Sequence, residues 1–118
     1  MEPQWDLIVI GAGGAGLGAA QYGARANLKT LLLEEMAPGG QALVIDRLEN
    51  YPGIAEPVSG FDFADLMRRQ AEQFGAEIRS SGVSALRREG NLFVLDTSDG
   101  PVSTWAVILA TGAKHRHL

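Results

Sequence analysis

The stretch LIVIGAGGAGLGAA, residues 7–20, constrains the fold of this chain more than any other. Four apolar residues, Leu7 to Ile10, lead into a segment in which nearly every residue is Gly or Ala. A continuous apolar run is typical of a strand that is buried on both faces in a parallel sheet. The small residues from about Gly13 to Asn27 favour a tightly packed helix. A membrane-spanning helix is disfavoured, since the stretch falls short of the roughly 20 apolar residues that it needs.

Three glycines between the predicted strand and the predicted helix form the pattern G-x-G-x-x-G: Gly11, Gly13 and Gly16. The first glycine permits a tight turn, the second lets a pyrophosphate approach the backbone, and the third lets helix and strand pack closely. The N-terminus of the helix then offers free N–H groups and partial positive charge to an anion. The alternative is a glycine-rich turn that serves packing alone.

A second apolar strand, Thr30 to Leu33, closes with Glu34. Strand, helix and strand together have the size of one βαβ unit, roughly 30 residues. A carboxylate at this point accepts hydrogen bonds from ribose hydroxyls and repels a 2′-phosphate. The sequence therefore predicts a dinucleotide site with Glu34 as the ribose ligand. Glu35 is either a second, less favoured candidate for that role or a solvated loop acid.

The middle of the chain holds a long connection followed by a clearer helix. Residues 34–60 contain four Gly and three Pro. The apolar residues among them indicate that the connection is ordered. Ser59 is a candidate N-cap for a helix with one apolar face, and Gly75 stands where a C-cap glycine belongs. A short strand over Ala76 to Arg79 is expected next.

From Val83 onward the pattern changes to hairpins, with turn signals at Gly90-Asn91 and Asp99-Gly100. They separate three short extended segments, which predicts an antiparallel β-meander. A separate buried strand, Ala106 to Ala110, is expected to follow and to end at Thr111-Gly112. Since an NAD-binding half would continue with another βα unit, the meander favours FAD, although the glycine pattern fits either cofactor.

Composition limits the possible partners. The 118 residues suffice for one domain, residues 1–118. A net charge of −4 argues against a nucleic-acid binder, and the acidic start MEPQWD argues against a signal peptide. We expect a cytoplasmic protein without membrane contact. The chain has no cysteine, which excludes disulfides and dithiol chemistry within it.

Five segments, in this order and spacing, resemble the FAD-binding domain of low-molecular-weight thioredoxin reductases: DLIVIGAGGAGLGAAQYGARANLKTLLLE, PGGQ, ENYPG, AEQFGAEI and VILATGA. The similarity covers essentially the whole chain. Ferredoxin–NADP reductases and the flavoprotein subunit of alkyl hydroperoxide reductase are similar too, and ENYPG is most similar to thioredoxin reductase. The resemblance implies a Rossmann-like, doubly wound α/β fold with a parallel sheet and a three-stranded meander crossover.

The resemblance also implies a role for individual residues. One group would hold the FAD pyrophosphate, Glu34 would bind the adenosine ribose, and Val83 would contact the adenine through its backbone. Asn50 would reach the isoalloxazine ring, although Asn before Pro-Gly also suits a plain turn. The pyrophosphate group comprises Gly11, Gly13, Gly14, Ala15 and Gly16. Gly40 and Gln41 would follow the pyrophosphate and ribityl chain, and Ala110, Thr111 and Gly112 would close on the cofactor.

The sequence departs from the family where Gly14 stands in place of the usual Pro, which we expect to loosen the loop without preventing binding. Relative to the family the chain is the N-terminal FAD-binding segment, with residues 113–118, including His115 and His117, as an exit linker. The family's C-x-x-C and NADPH domain are not in it, so no catalytic residue or metal ligand is assigned and the chain alone is expected to be inactive in the parent reaction. That reaction passes electrons from NADPH through FAD to a disulfide, as in thioredoxin. The alternatives are an assembly module, completed by a second copy or another chain, and an NAD- or ADP-binding module without flavin.

Overall fold

The computed structural model describes residues 2–34 and 60–111 of the chain. Within these residues there are two helices and six strands, and the strands form one sheet in the order β3-β2-β1-β6-β5-β4. Their bounds, in chain order, are β1 Trp5–Ile10, α1 Gly14–Arg25, β2 Thr30–Glu34, α2 Gly60–Gln73, β3 Glu77–Ser80, β4 Val83–Glu89, β5 Leu92–Thr97 and β6 Gly100–Leu109.

The sheet combines a parallel half with an antiparallel half. Strands β3, β2, β1 and β6 run parallel, whereas β4, β5 and the start of β6 form an antiparallel meander. From β1 the chain moves outward to β2 and β3, and then crosses to the other side of β1 to form β6. The predicted fold class, a doubly wound parallel sheet with a meander crossover, is confirmed.

The central strands β1 and β2 are covered on both faces, where successive side chains of a strand point in opposite directions. Leu7 and Val9 of β1 pack against the inner faces of α1 and α2, where Leu17 and Ala71 are fully buried. Ile8, between them, belongs to a second cluster with residues of β2, and the meander contributes Leu95, Val83, Phe93 and Val102. The result is three layers: helices, parallel sheet and meander.

Both helices end in the same hydrogen-bonded pattern, a Schellman motif. After α1, Asn27 adopts φ 63°, its N–H donates to Ala24 O, and the Leu28 N–H donates to Gly23 O. After α2, Gly75 adopts φ 107° with the equivalent two bonds to Glu72 and Ala71. The prediction of Gly75 as a C-cap glycine is therefore confirmed, while Ser59, the predicted N-cap of α2, lies outside the described residues.

The last strand differs from its prediction in two ways. The third meander segment and the apolar run Ala106 to Ala110 are one continuous strand, β6, which pairs with β5 through Thr104 and with β1 beyond it. The run is also not buried, since Ile108 and Leu109 are 40% and 65% exposed. Within the described residues, no strand pairs with this part of β6 on the side away from β1.

Candidate functional site

The carboxyl ends of three parallel strands, β1, β2 and β6, meet at one edge of the sheet. The chain leaves β1 toward β2 on one side, and β6 lies on the other, so the strand order reverses between β1 and β6. In open α/β sheets, ligands bind in the crevice outside the carboxyl ends of the strands at such a reversal. The residues that follow β1 therefore occupy the position where a binding site is expected.

Gly11 and Gly16 occupy positions that only glycine fits. Gly11 has φ 107°, and a Cβ there would overlap the Ala110 carbonyl group. A Cβ on Gly16 would overlap the Gly11 carbonyl oxygen, because the first turn of α1 lies directly on that carbonyl. These two glycines therefore hold β1, α1 and the end of β6 together whether or not a ligand is bound.

Gly13 and Gly14 are different, because a Cβ on either would meet no heavy atom of the described residues within 4 Å. Gly13 is the N-cap of α1 with φ −72° and ψ −173°, a conformation that every residue adopts easily. The backbone therefore does not require glycine at residues 13 and 14. The space beside them is open to a ligand group that approaches the backbone.

A row of N–H groups lies at the start of α1, beside Gly13 and Gly14. Gly11 N–H donates to Leu33 O at 2.8 Å, and the first helical bond of α1 runs from Leu17 N–H to Gly13 O. Between these two bonds, no acceptor among residues 2–34 and 60–111 takes the N–H groups of Gly13, Gly14, Ala15 and Gly16. The first turn of α1 also has no acidic side chain and no side-chain cap. Such an N-terminus binds an anion well.

Glu34 reaches into the same loop from the end of β2. Its Oε2 accepts a hydrogen bond from the Ala12 N–H at 2.7 Å, and its carbonyl accepts one from the Ser81 N–H at 2.9 Å. The predicted ribose ligand therefore lies beside the glycine loop, as its position in sequence indicates. The contact with Ala12 was not predicted, because no sequence pattern indicates which N–H group a carboxylate at a strand end will bind.

Val83, the predicted adenine contact, lies next along this edge. It begins β4, two residues after Ser81, and lines an open cavity of ≈ 360 Å³ with Gly82, Ser84, Thr97 and Ser98. The Ser98 N–H and hydroxyl bond to Gly82, which fixes the backbone just before Val83. Ala110 follows β6 and lies beside Gly11, where a Cβ would overlap its carbonyl group, and Thr111 is exposed beyond it.

The structure thus brings most of the predicted site residues to one edge of the sheet, and it gives no information on the rest. Gly40, Gln41, Asn50 and Gly112 lie outside the described residues, as do Glu35 and the predicted exit linker with His115 and His117.

Several charged groups outside this edge form surface ion pairs. On α2 the hydrogen bond from Arg68 holds the pKa of the Asp65 carboxyl below its usual range, and Arg69 adds to the effect. In the meander Arg87 pairs with Glu89 and Asp96. No group of three or more His, Cys, Asp or Glu residues suited to a metal ion occurs in the two described ranges. In the same ranges, neither helix is long and apolar enough to cross a membrane.

Known proteins match both the sequence and this geometry. The pyridine nucleotide-disulphide oxidoreductase family matches residues 5–118. The thioredoxin reductase of Treponema pallidum is 52% identical over 118 residues, which are 100% of this chain and 38% of that protein. The crystal structure of Lactococcus lactis thioredoxin reductase superposes with a TM-score of 0.91 at 39% identity, covering 98% of this chain and 38% of that one. The chain thus spans less than two fifths of the relatives that it matches.

Proposed function

Because the chain belongs to the pyridine nucleotide-disulphide oxidoreductase family, we propose that it binds FAD as the N-terminal part of a thioredoxin-reductase-like flavoprotein. The observation that carries this proposal is the row of N–H groups from Gly13 to Gly16, which find no acceptor among residues 2–34 and 60–111 and lie at the reversal of strand order. A pyrophosphate supplies the negative charge and the acceptor oxygens that these donors call for.

The donors and acceptors of this edge fit the adenosine half of such a cofactor in order. The pyrophosphate lies at the start of α1, and its approach is permitted by the missing Cβ atoms of Gly13 and Gly14. The Glu34 carboxylate, which lies beside the glycine loop, is proposed to accept hydrogen bonds from the ribose hydroxyls. The Val83 backbone borders the adenine. Gly40, Gln41 and Asn50 are proposed for the ribityl and flavin portion.

Within the whole flavoprotein, FAD supplies the chemistry of accepting hydride from NADPH and passing electrons to a disulfide. This chain's residues bind and orient the cofactor and hold its pyrophosphate charge. Since the chain has no cysteine, a dithiol that receives the electrons has to belong to another part of the protein or to a partner such as thioredoxin. We place the complete enzyme in the cytoplasm.

Flavin absorbance and fluorescence test directly whether the chain binds FAD. The purified chain, saturated with FAD and passed through a desalting column, is expected to retain flavin absorbance and to quench or shift flavin fluorescence in titration. FMN, which lacks the adenosine half and the pyrophosphate, is the matched control and is expected to bind at least about tenfold more weakly. Binding of NAD with no response to FAD would replace the proposal with a nicotinamide or ADP module.

A second role, that of an assembly module, has one observation in its favour. Beyond Thr104, β6 pairs with β1 alone among the described strands, and Ile108 and Leu109 are exposed there. A strand edge with apolar side chains invites pairing with another strand. Light scattering after size exclusion separates the two roles, since a monomer that binds FAD counts against assembly of copies.

Gly14, which stands where the family usually has Pro, provides a test of the glycine loop at the start of α1. Gly14→Pro is expected to stabilise the ligand-free chain by roughly 1 kcal/mol, because Pro suits the first helical position and restricts the unfolded chain. The neighbouring Gly13 already has the extended ψ of −173° that a following Pro requires. FAD affinity is expected to change less than about threefold, since three of the four N–H donors remain. A larger loss, measured by titration beside thermal unfolding, would show that the Gly14 N–H carries the phosphate.

A further inference from the structure

We infer that Glu34 is a positioning residue for the glycine loop, a task separate from the binding of ribose. The inference starts from the bond between its Oε2 and the Ala12 N–H, 2.7 Å long. Ala12 is fully buried, and a buried N–H without an acceptor is costly. The bond is short and charge-assisted, which places it among the stronger hydrogen bonds in proteins.

The bond to Glu34 also orients a carbonyl group. The Ala12 N–H and the Gly11 C=O belong to one planar trans peptide, so they point in opposite directions. When Glu34 holds the N–H on one side, the carbonyl points to the other, where the first turn of α1 packs against it at Gly16. Glu34 thereby fixes the surface on which the start of α1 rests.

This orientation decides which N–H groups remain for a ligand. Gly11 N–H is bound to β2 at Leu33 O and Ala12 N–H to the Glu34 side chain, so the donors left for a ligand begin at Gly13. Pyrophosphate binding should then depend on Glu34 even when the ligand has no ribose. That the ligand is a pyrophosphate rests on the proposed function. The positioning of the loop by Glu34 rests only on the hydrogen bond to the Ala12 N–H.

The test compares Glu34→Ala and Glu34→Gln in the full chain. Hydrogen exchange at the Ala12 amide of the ligand-free protein is expected to accelerate by at least about tenfold in Glu34→Ala. It should stay close to wild type in Glu34→Gln, whose amide oxygen still accepts the bond. The Ala12 amide proton resonance should move upfield in Glu34→Gln because the charge assistance is lost.

A ligand without ribose separates the two tasks. Inorganic pyrophosphate affinity is expected to fall about tenfold in Glu34→Ala and less than about threefold in Glu34→Gln, whereas ADP affinity should fall in both. If Glu34 serves ribose alone, both variants bind pyrophosphate as well as wild type or better, since a negative charge has been removed. That result, or unchanged Ala12 exchange and resonance, would overturn the inference.

A matched control lies at the opposite end of β1, where Asp6 Oδ2 accepts a hydrogen bond from the Lys29 N–H at 2.8 Å. Asp6→Ala removes the same type of carboxylate-to-backbone bond far from the loop. It is expected to leave Ala12 exchange and pyrophosphate affinity unchanged. If wild type binds none of FAD, ADP and pyrophosphate, the proposed function fails, while the exchange and resonance measurements still decide the role of Glu34.

Discussion

Gly16→Ala is expected to destabilise the ligand-free chain by at least about 3 kcal/mol, and FAD binding to disappear with the fold. The added Cβ would overlap the Gly11 carbonyl oxygen, which is backbone and is held by a peptide whose N–H is bound to Glu34. Relief therefore requires α1 to move off β1. Thermal and urea unfolding followed by circular dichroism measure the loss.

Gly18→Ala is the matched control, since it makes the same chemical change two residues further along α1. A Cβ at Gly18 meets no heavy atom within 4 Å. Replacing a helical glycine with alanine stabilises by roughly 0.5–1 kcal/mol, so the two variants should move stability in opposite directions. Equal effects of the two substitutions would mean that α1 does not rest on the Gly11 carbonyl as described.

The elements of this fold that sequence predicts well are those whose signal is local. The apolar run of β1 predicts a strand without reference to the rest of the chain. The turn glycines of the meander likewise predict where its strands begin and end. Gly75 is a further example, because the left-handed conformation after a helix selects glycine wherever it occurs. These predictions hold to within a residue or two of the observed bounds.

The single strand β6 was not predicted, and the reason is its dual pairing. Its first half reads as a meander strand next to β5, and its second half as a strand of a parallel sheet next to β1. The turn signal at Asp99-Gly100 predicts where β6 begins, but nothing at Thr104 indicates that the strand paired with β6 changes there. The exposure of Leu109 could not be predicted from the sequence either, since burial depends on which strands lie alongside β6.

At the candidate site, sequence predicts which residues come together and how the three glycines differ. The spacing of the glycines and Glu34 predicts one edge of the sheet, where the structure places them. The predicted roles are a tight turn at Gly11, ligand approach at Gly13 and close helix packing at Gly16. In the structure a Cβ on Gly11 or Gly16 would overlap backbone, whereas one on Gly13 would meet no atom of the described residues within 4 Å. The contact partners could not be predicted, because Gly11 meets Ala110, which lies far along the chain, and Gly16 meets the Gly11 carbonyl.

This division makes Gly13 the residue at which fold and cofactor binding can be separated. Gly13→Val is expected to weaken FAD and ADP binding roughly hundredfold, because the branched side chain occupies the space through which pyrophosphate reaches the N–H groups of α1. The chain should remain folded, since a Cβ at this position meets no atom of residues 2–34 and 60–111 within 4 Å and the backbone conformation suits any residue. The stability cost should be about 1 kcal/mol, the difference between Gly and Val at an N-cap.

Titration with FAD and with ADP, beside thermal unfolding, measures both effects in one preparation. Gly13→Ala gives an intermediate case with a smaller side chain, and Gly18→Ala again serves as control, since it should bind as wild type does. A folded Gly13→Val chain with unchanged FAD affinity would contradict the placement of the pyrophosphate at this loop. Loss of binding with the fold retained is the result that packing alone does not explain, because a Cβ on Gly13 would touch no other atom in the described part of the chain.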